Sequence, residues 1–249
     1  MLSIEFSKIK RSWIVPLLFI APILVVATGV ASLSRYLTPE YTSAWPAMFI
    51  QSALVYSYYL LPLSMIIVCV MISARETQNN GILKMLALPV SRQKMSLCKF
   101  AVIVFFLLME ILVFFVAFVI AGIIATKTNN VEEALPLGYL LSCCAKLFIT
   151  MLPATAFMWA ITVLFEKPLL SIGLNLLLVI PGVLVANTSA WLCYPYCYSG
   201  YLVTCSLYKY TTEANTSVFQ PFPFAIYATV LFILALTISV VRFGKKEMS

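Results

Sequence analysis

Glu110 and Lys146 are charged side chains set deep inside long apolar runs. Glu110 lies about ten residues into one run and Lys146 about eight residues into the next. At about 1.5 Å per residue both depths fall near the middle of a ~30 Å hydrocarbon layer. An isolated charge there costs on the order of 3 kcal/mol, so a mutual ion pair latching two antiparallel helices is the expected resolution. Two other roles stay open: a proton relay or substrate contact through these charges, and a Lys146 that snorkels to the outer surface. Weaker polar groups accompany them. Gln51, Ser52, Tyr56 and Tyr59 recur at roughly helical spacing in one run, and Ser171 and Asn175 stand four apart in another. They would either line a passage or satisfy their hydrogen bonds along and between helices.

The chemistry is narrowed by what is missing. The chain has no histidine, which removes His-ligated metal sites and His general bases. No Gly-x-x-x-x-Gly-Lys-Ser/Thr motif occurs, so nucleotide hydrolysis by a P-loop is not expected, and no nucleophile, base and orienting group fall together. The reading is therefore of a non-enzyme with no metal or cofactor of its own. Its seven cysteines show no Cys-x-x-Cys pair.

The elements carrying these residues are set by composition. With 249 residues, 63% of them hydrophobic and 10% charged, the chain reads as an all-α integral membrane protein. Six spans are expected, at about 13–33, 47–72, 100–126, 138–164, 169–186 and 223–242, as one transmembrane domain over residues 1–249. A cleaved signal peptide is the alternative for the first. Residues 165–168 are so short a link that the fourth and fifth spans must be antiparallel neighbours. Ala117, Ala121 and Ala125 recur every four residues in the third, permitting close approach to another helix. The net charge of +7 reports topology rather than nucleic-acid binding. Lys and Arg at 8, 10, 11, 75, 84, 92, 94, 99, 167, 242, 245 and 246 fall on one side, against Arg35, Lys127 and Lys209 on the other. Twelve against three places both termini in the cytoplasm.

Residues 73–99 form the most charged internal stretch. Arg75, Lys84, Arg92, Lys94 and Lys99 stand against Glu76, with an apolar helical repeat through Ile82, Met85 and Leu86 and a break at Leu88-Pro89. A basic amphipathic helix hung between two spans and ended by proline suits a cytoplasmic coupling helix, which receives force from a soluble partner. Near the other end of the chain, residues 187–222 hold Trp191, Tyr194, Tyr196 and Tyr198 in a segment too short to cross. Such aromatics suit a re-entrant or interfacial segment, packed as a membrane belt or serving as a substrate-receiving lid. One disulfide among Cys193, Cys197 and Cys205 is an open expectation if that segment faces outward.

Six spans with both ends inside, a cationic lead-in, and Glu76 followed by Gly81, Lys84, residues 88–92 (Leu-Pro-Val-Ser-Arg), Lys94 and Lys99 resemble the permeases of ABC-2 type exporters. The Trp191, Tyr194, Pro195, Tyr196, Tyr198 segment resembles the branch that confers lantibiotic immunity or resistance. The resemblance implies a complex of two permeases, often similar but non-identical, with two cytosolic ATPase subunits that hold ATP and Mg. It implies a multi-pass protein of a bacterial plasma membrane, in contact with lipid and handling a cationic amphipathic peptide, with no nucleic acid involved. Within it, Ile82, Met85, Leu86 and Pro89 would dock in the ATPase groove while Glu76 and Arg92 set orientation at its rim. The second and fifth spans would lie at the dimer interface with Gln51, Tyr59 and Asn175. An ion-coupled transporter using Glu110 and a non-transporting assembly protein are the rival readings.

Overall fold

The computed structural model describes residues 14–31, 44–77, 92–129, 133–165, 167–207 and 219–244, and no strand occurs among them. Nine α-helices follow in order among these residues. They are α1 (Ile14–Ala31), α2 (Ala44–Val55), α3 (Leu61–Thr77), α4 (Arg92–Thr128), α5 (Leu137–Leu164), α6 (Pro168–Val179), α7 (Gly182–Ala186), α8 (Tyr198–Leu207) and α9 (Pro221–Gly244). A π-helical turn, Tyr56–Leu60, joins α2 to α3 without interrupting the rod, and the Leu61 N–H donates to the Tyr56 carbonyl five residues back.

Five helical stretches are long and apolar enough to cross a membrane: Ala44–Ala74, Gln93–Thr128, Leu137–Leu164, Pro168–Ala186 and Pro221–Gly244. They match the second to sixth expected spans. In α1 the 18 residues reach about 27 Å, with Leu18, Ala21, Val25, Val26 and Val30 buried against the bundle and Phe19, Ile20, Ile23 and Leu24 exposed. Both faces are apolar, as suits a helix with protein on one side and lipid on the other.

The third span departs most from expectation. Instead of starting near Phe100, α4 begins at Arg92 and runs for 37 residues, about 55 Å, far beyond a hydrocarbon layer. The last residues assigned to the coupling stretch, Arg92 to Lys99, are thus the first two turns of this helix. Lys99 is buried there. The reason is local: after Pro89 no helix breaker occurs, and Gln93, Lys94 and Met95 are good helix formers. Residues 78–91, with Gly81, Ile82, Lys84, Met85, Leu86 and Pro89, lie outside the described residues.

The core has two centres. In the larger, Trp45 and Phe49 of α2 meet Phe114 and Phe118 of α4, with Phe49 and Phe118 ring centroids 5.3 Å apart and nearly perpendicular. On α4 the Trp45 ring lies directly over Gly122, where any Cβ would overlap it. Ala117, Ala121 and Ala125, the expected contact stripe, are only half-buried beside it. Glu133 closes this end of the bundle. Its two carboxylate oxygens accept from the Ala44 N–H at 3.1 and 3.0 Å, an anion set at the start of α2.

The smaller centre holds the aromatic segment. Two 3-10 turns, Ser189–Cys193 and Pro195–Cys197, lead into α8, which packs on α2, the π turn and α5. Trp191, Tyr196 and Tyr198 are buried and Tyr194 is half-buried. Trp191 lies 4.4 Å from Tyr201, and Tyr198 lies 5.0 Å from Phe224, centroid to centroid. A belt of rings presented at a surface is therefore not what these residues form. They are the core that holds a ten-residue helix inside the bundle.

Cys193, Cys197 and Cys205 are all free thiols, so the disulfide left open by the sequence is not formed. Cys193 is exposed, whereas burial pushes the Cys197 thiol up to about 12. Because the thiolate is the reactive species, burial makes Cys197 much less reactive than an exposed thiol. Maleimide treatment of the purified chain, mapped by mass spectrometry, should modify Cys193 and spare Cys197 and Cys205 until the protein is denatured.

Candidate functional site

Three groups of described polar side chains link elements inside the bundle, and the first surrounds Glu110. This residue has no exposure, and its Oε1 accepts from the Ser64 hydroxyl at 2.6 Å. Ser64 also reaches the Leu61 carbonyl at 2.9 Å. Glu110 Oε2 has no hydrogen-bond partner among the described residues, and neither has the Tyr56 hydroxyl. The Tyr56 ring stacks on Phe114 at 4.5 Å with the planes 9° apart. Lys146, by contrast, is exposed, and no ion pair joins it to Glu110. The expected latch is not formed because equal depth on neighbouring helices does not place two side chains on facing sides. Glu110 turns toward α3 and finds a hydroxyl there.

The second group joins α5, α6 and the aromatic segment. Ser171 donates to Thr162 Oγ1 at 3.0 Å across the 165–167 link, so α5 and α6 are indeed packed neighbours. The Asn175 amide nitrogen donates to the Ser171 carbonyl at 2.9 Å, and its Oδ1 accepts from the Tyr196 hydroxyl at 2.9 Å. Both residues are buried inside the subunit. Asn175 is therefore not at a surface available for a dimer interface, and with Ser171 it ties elements together rather than lining an open passage. Of the other path residues, Tyr56 is fully buried, Gln51 is half-buried and Tyr59 is 41% exposed. The structure does not bring these five residues into one channel. The outward side of α6 and α7 is instead apolar, with Leu169 and Leu177 of α6, Ile180 between the two helices and Leu184 of α7 exposed.

The third group fastens α8 to the π turn. Ser199 donates to the Ser57 carbonyl at 2.9 Å, and the Tyr58 and Thr204 hydroxyls lie 3.0 Å apart. A widened turn displaces backbone carbonyls from their α-helical partners, and the Ser199 hydroxyl supplies one of them with a donor. Tyr58 lies flat against Gly200, where there is no room for a side chain. None of these residues stands out in the sequence. The only available signal was the small pair Ser199-Gly200 within an aromatic run.

A cavity of about 430 Å³ opens between α2, α5, α8 and the start of α9. Phe49, Tyr139, Leu202, Phe219 and Phe224 contribute to its largely apolar wall, and Lys146 is its one formally charged lining residue among the described residues. Its size falls in the range of small-ligand sites.

Of the expected coupling residues, Glu76 falls in the last turn of α3 and Arg92 at the start of α4, and the other six lie outside the described residues. No cluster of His, Cys, Asp or Glu suited to a metal occurs among the described residues. A family model described as "ABC-2 family transporter protein" matches residues 1–182. That stretch includes the whole basic connector and stops before the aromatic segment and α9. No curated protein matches the chain.

Proposed function

We propose, from the premise that the chain belongs to the ABC-2 family of transporter proteins, that it is the membrane half of an exporter driven by separate ATPase subunits. The family assigns it to membrane transport as a non-catalytic, multi-pass subunit that associates with ABC ATPases. The finer reading is our own. It comprises six spans with both termini cytoplasmic in a bacterial plasma membrane. It also comprises a pairing with a second, similar permease and with two ATPase subunits that hold ATP and Mg. The cargo proposed is an amphipathic, lantibiotic-like peptide expelled from the membrane, which gives immunity or resistance. The matched family carries the coarser reading of a transport subunit driven by ABC ATPases, and the basic connector over 73–99 is the part we assign to the motor. The outward leucines of α6 and exposed Tyr59 are among the apolar surfaces open to a second permease or lipid. The peptide cargo is supported by the resemblance of the Trp191 to Tyr198 segment alone.

Met85 tests the coupling. In an apolar groove an unpaired carboxylate costs several kcal/mol, so Met85→Asp should reduce co-purification of the ATPase by about tenfold or more. Peptide resistance of the host should fall in parallel while membrane insertion is unchanged. Unchanged co-purification and resistance would remove the connector from the mechanism. Under the ion-coupled alternative through Glu110, the chain alone in liposomes would move cargo on a pH gradient. Under this reading it is inert without ATPase subunits.

A further inference from the structure

We propose that the cavity between α2, α5, α8 and α9 binds one acyl chain of an anionic amphiphile, with its acidic head group on Lys146. This holds whatever cargo the transporter moves. Lys146 lies nine residues along α5 from Leu137, about 14 Å into the helix. A cation at such depth calls for a countercharge. Two carboxylates are committed elsewhere, Glu110 to Ser64 and Glu133 to the Ala44 N–H, and neither pairs with Lys146. The cavity beside Lys146 has room for a group that supplies a countercharge.

Shape and lining say what that is. The cavity wall is mainly aromatic and aliphatic, from Phe49 and Ile50 on one side to Leu202, Val203 and Phe224 on the other, with Lys146 and a few hydroxyls and thiols. Two of the lining hydroxyls are engaged with backbone: Thr150 donates to the Lys146 and Leu147 carbonyls, and Ser206 to the Leu202 carbonyl. A site with the Lys146 cation at one end and an apolar wall along the rest selects for charge at one end and hydrocarbon at the other. A cationic amphiphile would meet repulsion from Lys146, and a zwitterionic one would gain less than an acid. Free fatty acids and anionic phospholipids share the required chemistry.

The test uses the full chain in phosphatidylcholine nanodiscs doped with diazirine-bearing palmitic acid, phosphatidylglycerol or phosphatidylcholine, with photolabelled peptides mapped by mass spectrometry. At least one anionic probe should label residues 139–150 and 202–206 about fivefold more than the phosphatidylcholine probe, the scale of a single charge pair. Lys146→Gln should abolish that excess and Lys146→Arg should keep it. Labelling by palmitic acid only identifies a free acid as the ligand, and labelling by phosphatidylglycerol only identifies a phospholipid. Either result, or both, supports the site. Equal labelling by phosphatidylcholine, labels spread over the outer faces of α6 and α9 instead, or an excess that survives Lys146→Gln would overturn it. Should the Gln variant not fold, the comparison of probes on the unaltered chain decides alone.

Discussion

Gly200→Ala should lower the thermal stability of the purified chain, against what helix propensity alone would give. In a helix interior, glycine to alanine stabilises by about 1 kcal/mol. Gly200 is inside α8, so on that ground the substitution should help. The opposing effect is steric. A Cβ at this position would fall within the Tyr58 ring, on Cε1, Cδ1 and Cζ rather than on a flexible tip. Tyr58 cannot simply swing away, because its hydroxyl is bonded to Thr204 and it belongs to the smaller core with Trp191 and Tyr198. Overpacking of this sort costs about 1–3 kcal/mol. The clash should therefore win, and Gly200→Val should be worse still. Adding Tyr58→Ala to Gly200→Ala gives a double-mutant cycle in which the combined loss is smaller than the sum of the two single losses. Additive losses, or a more stable Gly200→Ala, would mean that α8 is not seated on the π turn.

Glu110→Leu should leave the chain at least as stable as it began, whereas Glu110→Ala should destabilise it by about 2–5 kcal/mol through the void it leaves. The asymmetry follows from the orphaned Oε2. A buried polar atom without a partner costs about 1–3 kcal/mol, and an apolar side chain of similar size removes that cost. Ser64 would keep its bond to the Leu61 carbonyl. Thermal unfolding in detergent ranks the three proteins. A Glu110→Leu chain that unfolds well below the parent would show a stabilising partner for the carboxylate. If the Leu variant folds, keeps its ATPase and yet exports nothing, Glu110 acts in transport itself.

How far these features were legible depends on which coordinate they need. Positions along the helix axis were readable from apolar run lengths. The Pro181-Gly182 break falls between α6 and α7, and the short link at 165–167 brings Ser171 to Thr162. Rotation about the axis was not readable. A helix that is apolar all round carries no amphipathic phase, so the depths of Glu110 and Lys146 suggested a pair while their directions stayed unknown. The family resemblance set Asn175 at a dimer interface, whereas its side chain turns inward to Tyr196. In the aromatic segment, ring-rich composition suggested an interface, but composition does not distinguish rings facing lipid from rings facing one another.

The π turn gives the rod from Ala44 to Thr77 a break in angular bookkeeping. Before it, the inward stripe runs through Trp45, Phe49, Ser52 and Tyr56; a uniform thread would continue through Leu60, Leu63 and Ile67, but those are only half-buried. The stripe resumes one residue later, at Leu61, Met65, Val68 and Ile72. One inserted residue is about 100° of azimuth. Seven-residue spacings counted across 56–60 therefore pick the wrong side, and the two lengths of this single rod answer to different neighbours.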